Sequence, residues 1–124
     1  MSQKTERVAI VGASDNPERY SHRAQLLLKQ HGHEVVPVHP KLAQIEGVPV
    51  VADLSAISGS VDTVTMYVGP AISAGLGDKL AALKPRRVIF NPGTENAVLE
   101  QQLSAAGIAC EEACTLVLLN TGQF

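Results

Sequence analysis

Residues 7–13 read RVAIVGA and residues 17–32 read PERYSHRAQLLLKQHG. The first is a short β-branched run, apolar at successive positions and closed by a glycine. A run that is apolar on both faces suits a central strand of a parallel sheet covered above and below. The second has the marks of a helix. Pro17 fits a first helical position, where its missing N–H has no helical partner to lose. Asp15 or Asn16 is placed to cap it, and Gly32 ends it after Lys29 and His31 in the last turn. Strand, glycine turn and helix in that order open a βαβ unit.

The chain repeats this alternation. HEVVPVHP (33–40) reads as a second strand, stopped by Pro40, and GVPVVA (47–52) as a third, held to an edge by Pro49. Asp53 is placed to cap one helical turn ending at Ile57. DTVTMYV (62–68) is a fourth strand. The spacing of Ile72, Leu76, Leu80 and Leu83 predicts a helix over 71–83 despite Gly75 and Gly77. RVIFN (87–91) leads into the turn Pro92-Gly93-Thr94, then a helix over 95–106 with Thr94 as its cap, then a last strand at IACE (108–111). Strands alternating with helices imply a parallel sheet with right-handed crossovers. The predicted architecture is a Rossmann-like, doubly wound α/β sandwich of about five strands with helices on both faces. The expected strand order is 3-2-1-4-5, in a single domain over 1–124.

Composition narrows the function. With 124 residues, 45% hydrophobic and 18% charged, the chain can bury a core without disulfides. Aromatics are 3% with no Trp, and the net charge is −2. Stacking platforms and a broad basic face are thus lacking, and no nucleic-acid partner is expected. No apolar run approaches a membrane span, and no apolar segment follows Met1–Arg7 as in a secretory signal, so a cytoplasmic protein is expected. Cys110 and Cys114 lack CxxC or zinc spacing and read as reduced, buried small hydrophobes. His22, His31, His33 and His39 have no Cys or carboxylate set to complete a metal site, and His31 and His33 read as complements to a helix dipole. No nucleophile–base arrangement shows a signature, so no catalytic residue and no enzyme activity is expected.

In an open α/β sheet the ligand lies beyond the carboxyl ends of the strands, at the switch in strand order. Four segments converge there: 12–20, 39–41, 68–71 and 91–95. Gly12 permits close backbone approach, and the following helix N-terminus favours an anion such as pyrophosphate. Against the dinucleotide pattern G-x-G-x-x-G, Ser14 takes the second glycine position and Pro17 the third. The second strand ends in Val38-His39-Pro40-Lys41, without the acidic residue that holds an NAD ribose. Lys41 suits a phosphate on the ribose. NADP and 3′-phospho-ADP, the nucleotide half of coenzyme A, both remain open.

The ordered set VGASDNPERYSHR (11–23), GHEVVPVHPK (32–41), GVPV (47–50), VDTVTMYVGP (61–70), FNPGTEN (90–96) and EEACT (111–115) resembles the small stand-alone CoA-binding proteins of the YccU type. These are relatives of the CoA-binding domain at the start of succinyl-CoA synthetase α subunits. The resemblance implies a phosphate loop of Gly12, Ala13 and Ser14. Arg19, Tyr20 and Ser21 would complete the first loop, with Arg19 or Arg23 reaching a phosphate. It places Lys41 at the 3′-phosphate, beside Pro40 and His39, where the family usually reads PVNP rather than PVHP. Val68, Gly69 and Pro70 would pack against the adenine or the start of the pantetheine arm. Asn91, Pro92, Gly93, Thr94 and Glu95 would line the pantetheine side, and Cys114 lies in the closing EEACT segment, whose approach to the CoA thiol the sequence leaves open. The implied function is non-catalytic binding of coenzyme A or acyl-CoA, without the synthetase's phosphohistidine domain and with a homodimer as the default assembly. The rivals are an NADP-linked reductase or small acyl-CoA-processing enzyme, with Tyr67 as proton donor, and a CoA-responsive regulatory or scaffold protein.

Overall fold

The computed structural model describes residues 5–124. The elements run β1 (Arg7–Val11), α1 (Tyr20–Gln30), β2 (Glu34–Val38), β3 (Gln44–Ile45), β4 (Val48–Pro49), a 3-10 turn (Leu54–Ala56), β5 (Thr63–Met66), α2 (Pro70–Ser73), α3 (Gly77–Leu83), β6 (Arg87–Phe90), α4 (Ala97–Ala105), β7 (Ala109–Glu112) and α5 (Thr115–Asn120). Five strands form one parallel sheet in the order β2-β1-β5-β6-β7. β1 lies inside the sheet between β2 and β5, with Val8, Ala9 and Ile10 wholly removed from solvent. Alternation splits its side chains between two cores. Ala9 and Val11 pack with Val64, Met66, Val88, Phe90, Leu80 and Leu103. Val8 and Ile10 pack with Val35, Leu28 and Leu119 on the other face. A Rossmann-like α/β sandwich with helices on both faces is what the alternation predicted.

The third strand departs from expectation. GVPVVA does not add a full strand beside β2, so the order 3-2-1-4-5 gives way to a sheet whose edges are β2 and β7. Val48–Pro49 instead pairs antiparallel with Gln44–Ile45 through a two-residue turn in which Glu46 (φ 50°) and Gly47 (φ 77°) are both left-handed. Only Val51 reaches β2, as a single parallel bridge to Val38. Pro49 has no N–H for a ladder, so a continuous pairing through it is lost.

The helix ends shift for local reasons. α1 begins at Tyr20 rather than Pro17, because the Asn16 carboxamide oxygen accepts from Glu18 N (3.0 Å) and holds 16–19 as a turn. Its far end is as expected: Gly32 is left-handed (φ 87°) and His33 N donates to Leu28 O. The helix over 71–83 is broken into α2 and α3 near Gly75, where glycine weakens helical preference. Asn96, not Thr94, caps α4 by accepting from Leu99 N at 3.2 Å; Thr94 Oγ1 donates to Asn91 O (2.8 Å). Cys110 and Cys114 are free and only partly buried. Burial pushes the Cys110 thiol up from its ordinary value. Among the described residues no helix is long and apolar enough to cross a membrane.

His33 does not serve the helix end. Its Nδ1 accepts from Glu6 N (3.0 Å) and its ring lies 5.1 Å from that of Phe124. Burial lowers its pKa below 6.5, with the Glu6 carboxylate acting in the opposite sense. Between that lowered value and 6.5 the unfolded chain binds more protons than the folded one, so this contribution is full above 6.5 and is lost as pH falls. The urea midpoint of the wild type should therefore drop more between about pH 7.5 and about pH 5.5 than that of His33→Gln. Equal drops in the two proteins would overturn the assignment.

Candidate functional site

A cavity of about 890 Å³ opens at the carboxyl ends of β1, β2 and β5. The loop after β1 forms part of its floor. Gly12 has φ 86°, and a Cβ there would sit 2.8 Å from Val68 Cγ1 and 3.1 Å from the Tyr67 carbonyl carbon and oxygen. Only a glycine lets this turn pass so close to the end of β5. Ala13 N donates to Val38 O (3.3 Å), which ties the loop to β2. Ser14 Oγ accepts from Asn16 N (3.0 Å) and keeps its own proton to donate.

Behind the loop lies His22, 2% exposed on α1. Its Nδ1 donates to the Ser14 carbonyl oxygen at 2.8 Å, and its Nε2 lies 3.2 Å from Glu46 Oε2 in the β3–β4 turn. The imidazole thereby braces the loop against the hairpin. Arg19 and Tyr20 are exposed at the cavity, with Ser21 buried beneath them. The Arg23 guanidinium lies over the Tyr20 ring, 5.6 Å from its centroid.

At the end of β2, His39 Nδ1 accepts from Lys41 N (3.0 Å) and Leu42 N (3.2 Å). The imidazole thus performs the turn-holding role of an asparagine carboxamide. His39 and Pro40 line the cavity, while Lys41 is exposed outside its lining. Val68 and Gly69 line it and Pro70 does not. In the 91–95 segment Pro92 and Thr94 line it, whereas Asn91, Gly93 and Glu95 do not. Glu95 Oε1 accepts from Gly93 N at 2.9 Å.

Asn91 is turned inward. It is 3% exposed, its Nδ2 donates to Thr65 Oγ1 (2.7 Å) and Met66 O (2.8 Å), and its Oδ1 accepts from Thr115 N (2.9 Å). Tyr67 lines the cavity but its hydroxyl is buried, with no hydrogen-bond partner among the described residues. Burial pushes this phenol up to about 12. An enclosed hydroxyl of this kind is poorly placed to pass a proton to a cofactor in the cavity.

Sequence reasoning missed one flank. Ala52, Asp53 and Leu54 after β4, with Ile72 of α2, Leu76 just before α3 and Lys79 of α3, also line the cavity. Asp53 had been legible only as a cap, a role it does fill by accepting from Ser55 N. Lys79 Nζ donates to Asp53 Oδ2 at 2.7 Å. That hydrogen bond holds the Asp53 carboxyl below its usual value. Among the described residues no group of three or more His, Cys, Asp or Glu side chains is arranged to hold a metal.

Comparison with known proteins gives the following. A family model described as CoA binding domain matches residues 6–120. YneT of Bacillus subtilis (strain 168), described as uncharacterized, is 37% identical over 65 residues. That match spans 52% of this chain and 48% of YneT, about half the length of the curated relative. A crystal structure described as that of an uncharacterized protein superposes with a TM-score of 0.92 at 42% identity, over 98% of this chain and 100% of that one. The structure of cell-free ID.343 from Thermus thermophilus gives 0.88 at 26%, over 97% and 91%. The dinucleotide forming acetyl-coenzyme A synthetase 1 of Ca. Korarchaeum cryptofilum, in complex with phosphate and ADP, shares the fold. Its TM-score is 0.76 at 19% identity, over 87% of this chain and 25% of that one.

Proposed function

The chain belongs to the CoA-binding domain family, and on that premise we propose that it is a stand-alone, non-catalytic binder of coenzyme A or acyl-CoA. The observation that carries the reading is the cavity at the strand ends, floored by Gly12–Ser14 and reaching the end of β2, which continues as His39-Pro40-Lys41 rather than an acidic residue. In this reading the pyrophosphate lies over Gly12, Ala13 and Ser14, close to the start of α1 and within reach of Arg19. Tyr20 and Ser21 complete that loop. Lys41, on a flexible stem beside His39 and Pro40, reaches the 3′-phosphate. Val68, Gly69 and Pro70 flank the nucleotide, and Pro92 to Glu95 follow the pantetheine arm with Asn91 bracing them from within. The setting is cytoplasmic, in keeping with two free cysteines, and the assembly a homodimer, the commonest state for a small oligomer. The enclosed Tyr67 hydroxyl weighs against the reductase alternative.

A thermal-shift panel of CoA, acetyl-CoA, dephospho-CoA, NAD and NADP tests the ligand class, because stabilisation follows occupancy. CoA and acetyl-CoA should raise the midpoint most; a shift with NADP alone would overturn the reading. Calorimetry then tests the lysine. Lys41→Glu should weaken CoA about tenfold more than dephospho-CoA, since the charge reversal acts on a phosphate that only CoA carries. Equal losses for the two ligands would remove Lys41 from the site.

A further inference from the structure

We infer that Asp53 and Lys79 form a base-reading pair that selects adenine over 6-oxopurines. This rests on the CoA reading above and deepens it. With the pyrophosphate over Gly12–Ser14 and the ribose beside His39–Lys41, the base lies further along the same cavity. There the turn after β4 meets α3. Leu54, Ile72 and Leu76 line that cavity with aliphatic surface suited to a flat heterocycle. Two charged side chains interrupt it, Asp53 and Lys79, and they are joined at 2.7 Å.

The carboxylate of this partly exposed pair is held in place. Asp53 is fixed from its own turn: Ser55 Oγ donates to Oδ2 (3.1 Å) and Ser55 N contacts Oδ1 at 3.4 Å. Oδ1 thus has only one long contact and retains accepting capacity. Lys79 uses one ammonium proton on Asp53 among the described residues, out of three. The lowered pKa of Asp53 keeps it an acceptor throughout the neutral range.

A carboxylate that only accepts, beside an ammonium that only donates, presents an acceptor next to a donor. Adenine offers the complement, an amino donor at N6 beside an acceptor at N7. Guanine and hypoxanthine carry O6 in place of the amino group, which sets two oxygen acceptors face to face at Asp53. Lys79 can donate to N7 of either base and also to O6 of a 6-oxopurine, so the preference for adenine falls on Asp53 while Lys79 opposes it in part. Both side chains are partly exposed, 37% and 44%, so water competes and the selectivity is modest.

Calorimetry with adenosine 3′,5′-bisphosphate and inosine 3′,5′-bisphosphate, alongside CoA, tests this. The wild type should prefer the adenine compound roughly tenfold. Asp53→Asn, whose amide can turn to donate, should reduce the preference to about twofold. Asp53→Ser keeps a cap for the 3-10 turn and should reduce it similarly, which guards against a folding defect in either variant. Lys79→Met should weaken both bisphosphates, the inosine compound more, and so leave the preference for adenine intact or larger. Equal affinity of the wild type for the two compounds, or an undiminished preference in both Asp53 variants, would overturn the inference while leaving CoA binding standing. Failure of the wild type to bind CoA would overturn the CoA reading itself and this inference with it.

Discussion

On the proposed CoA reading, Gly12→Val should weaken CoA binding by at least about 100-fold, and it should destabilise the protein by about 3–4 kcal/mol. Two independent effects add at this residue. The left-handed backbone at φ 86° is unfavourable for any residue with a Cβ, and most for a branched one. The new Cβ would also lie 2.8 Å from Val68 Cγ1, with the Tyr67 carbonyl at 3.1 Å. Backbone on one side cannot yield, so the loop must lift away from β5 and carry Ala13 and Ser14 with it. Gly93→Ala separates the two effects. Gly93 is also left-handed, at φ 91°, but a Cβ there meets nothing within 4 Å, so only the backbone strain should register. Thermal unfolding should show Gly12→Val lowered by about 10 °C or more, and Gly93→Ala by much less. Retention of CoA affinity within tenfold of the wild type by Gly12→Val would mean that the loop does not hold the ligand.

Asn91→Leu should cost about 3 kcal/mol in urea unfolding, one of the largest losses for a single side chain here. The carboxamide makes three buried hydrogen bonds, to Thr65 Oγ1, Met66 O and Thr115 N. Leucine leaves the Thr115 N–H and the Met66 carbonyl without partners, and each unpaired buried group retains its full desolvation penalty. The effect should spread to α5, since Thr115 is its first residue and Leu119 anchors it in the core shared with Leu28 of α1. Hydrogen exchange should show amides of 117–121 opening faster in the variant while those of β1 follow global stability. Unchanged protection over 117–121 would mean that Asn91 does not hold α5.

The periodic, apolar parts of the chain were legible because their physics is local. RVAIVGA, TVTM and RVIF are strands whose residues are buried on both faces, and each lies in the parallel sheet where the alternation puts it. The first glycine turn was equally legible, since Gly12 is demanded by its own backbone angle. The sequence was ambiguous where the same residues suit two local structures. GVPVVA has a β-rich composition, yet Pro49 and the left-handed Glu46-Gly47 turn divert it into a hairpin. Thr94 and Asn96 are both sound caps, and only the inward turn of Asn91 decides between them, because its carbonyl takes the Thr94 hydroxyl. α5 is six residues long, too short for a periodic signal, and depends on packing against α1.

The sequence by itself determined the alternation of β1, α1, β2, β5, β6, α4 and β7, the glycine turn that brings one loop against the strand ends, and the absence of an acidic residue directly after β2. Each follows from side-chain pattern or backbone conformation within a few neighbouring residues. Only the tertiary structure decided what faces that loop. It set His22 between Ser14 and Glu46, 32 residues apart by their numbers, and Lys79 against Asp53, separated by 26 positions. Meetings of that kind depend on how whole elements pack across a crossover. No short-range periodicity carries that information, and so the flank of the cavity formed by Ala52, Asp53, Leu54, Ile72, Leu76 and Lys79 was invisible until the elements packed.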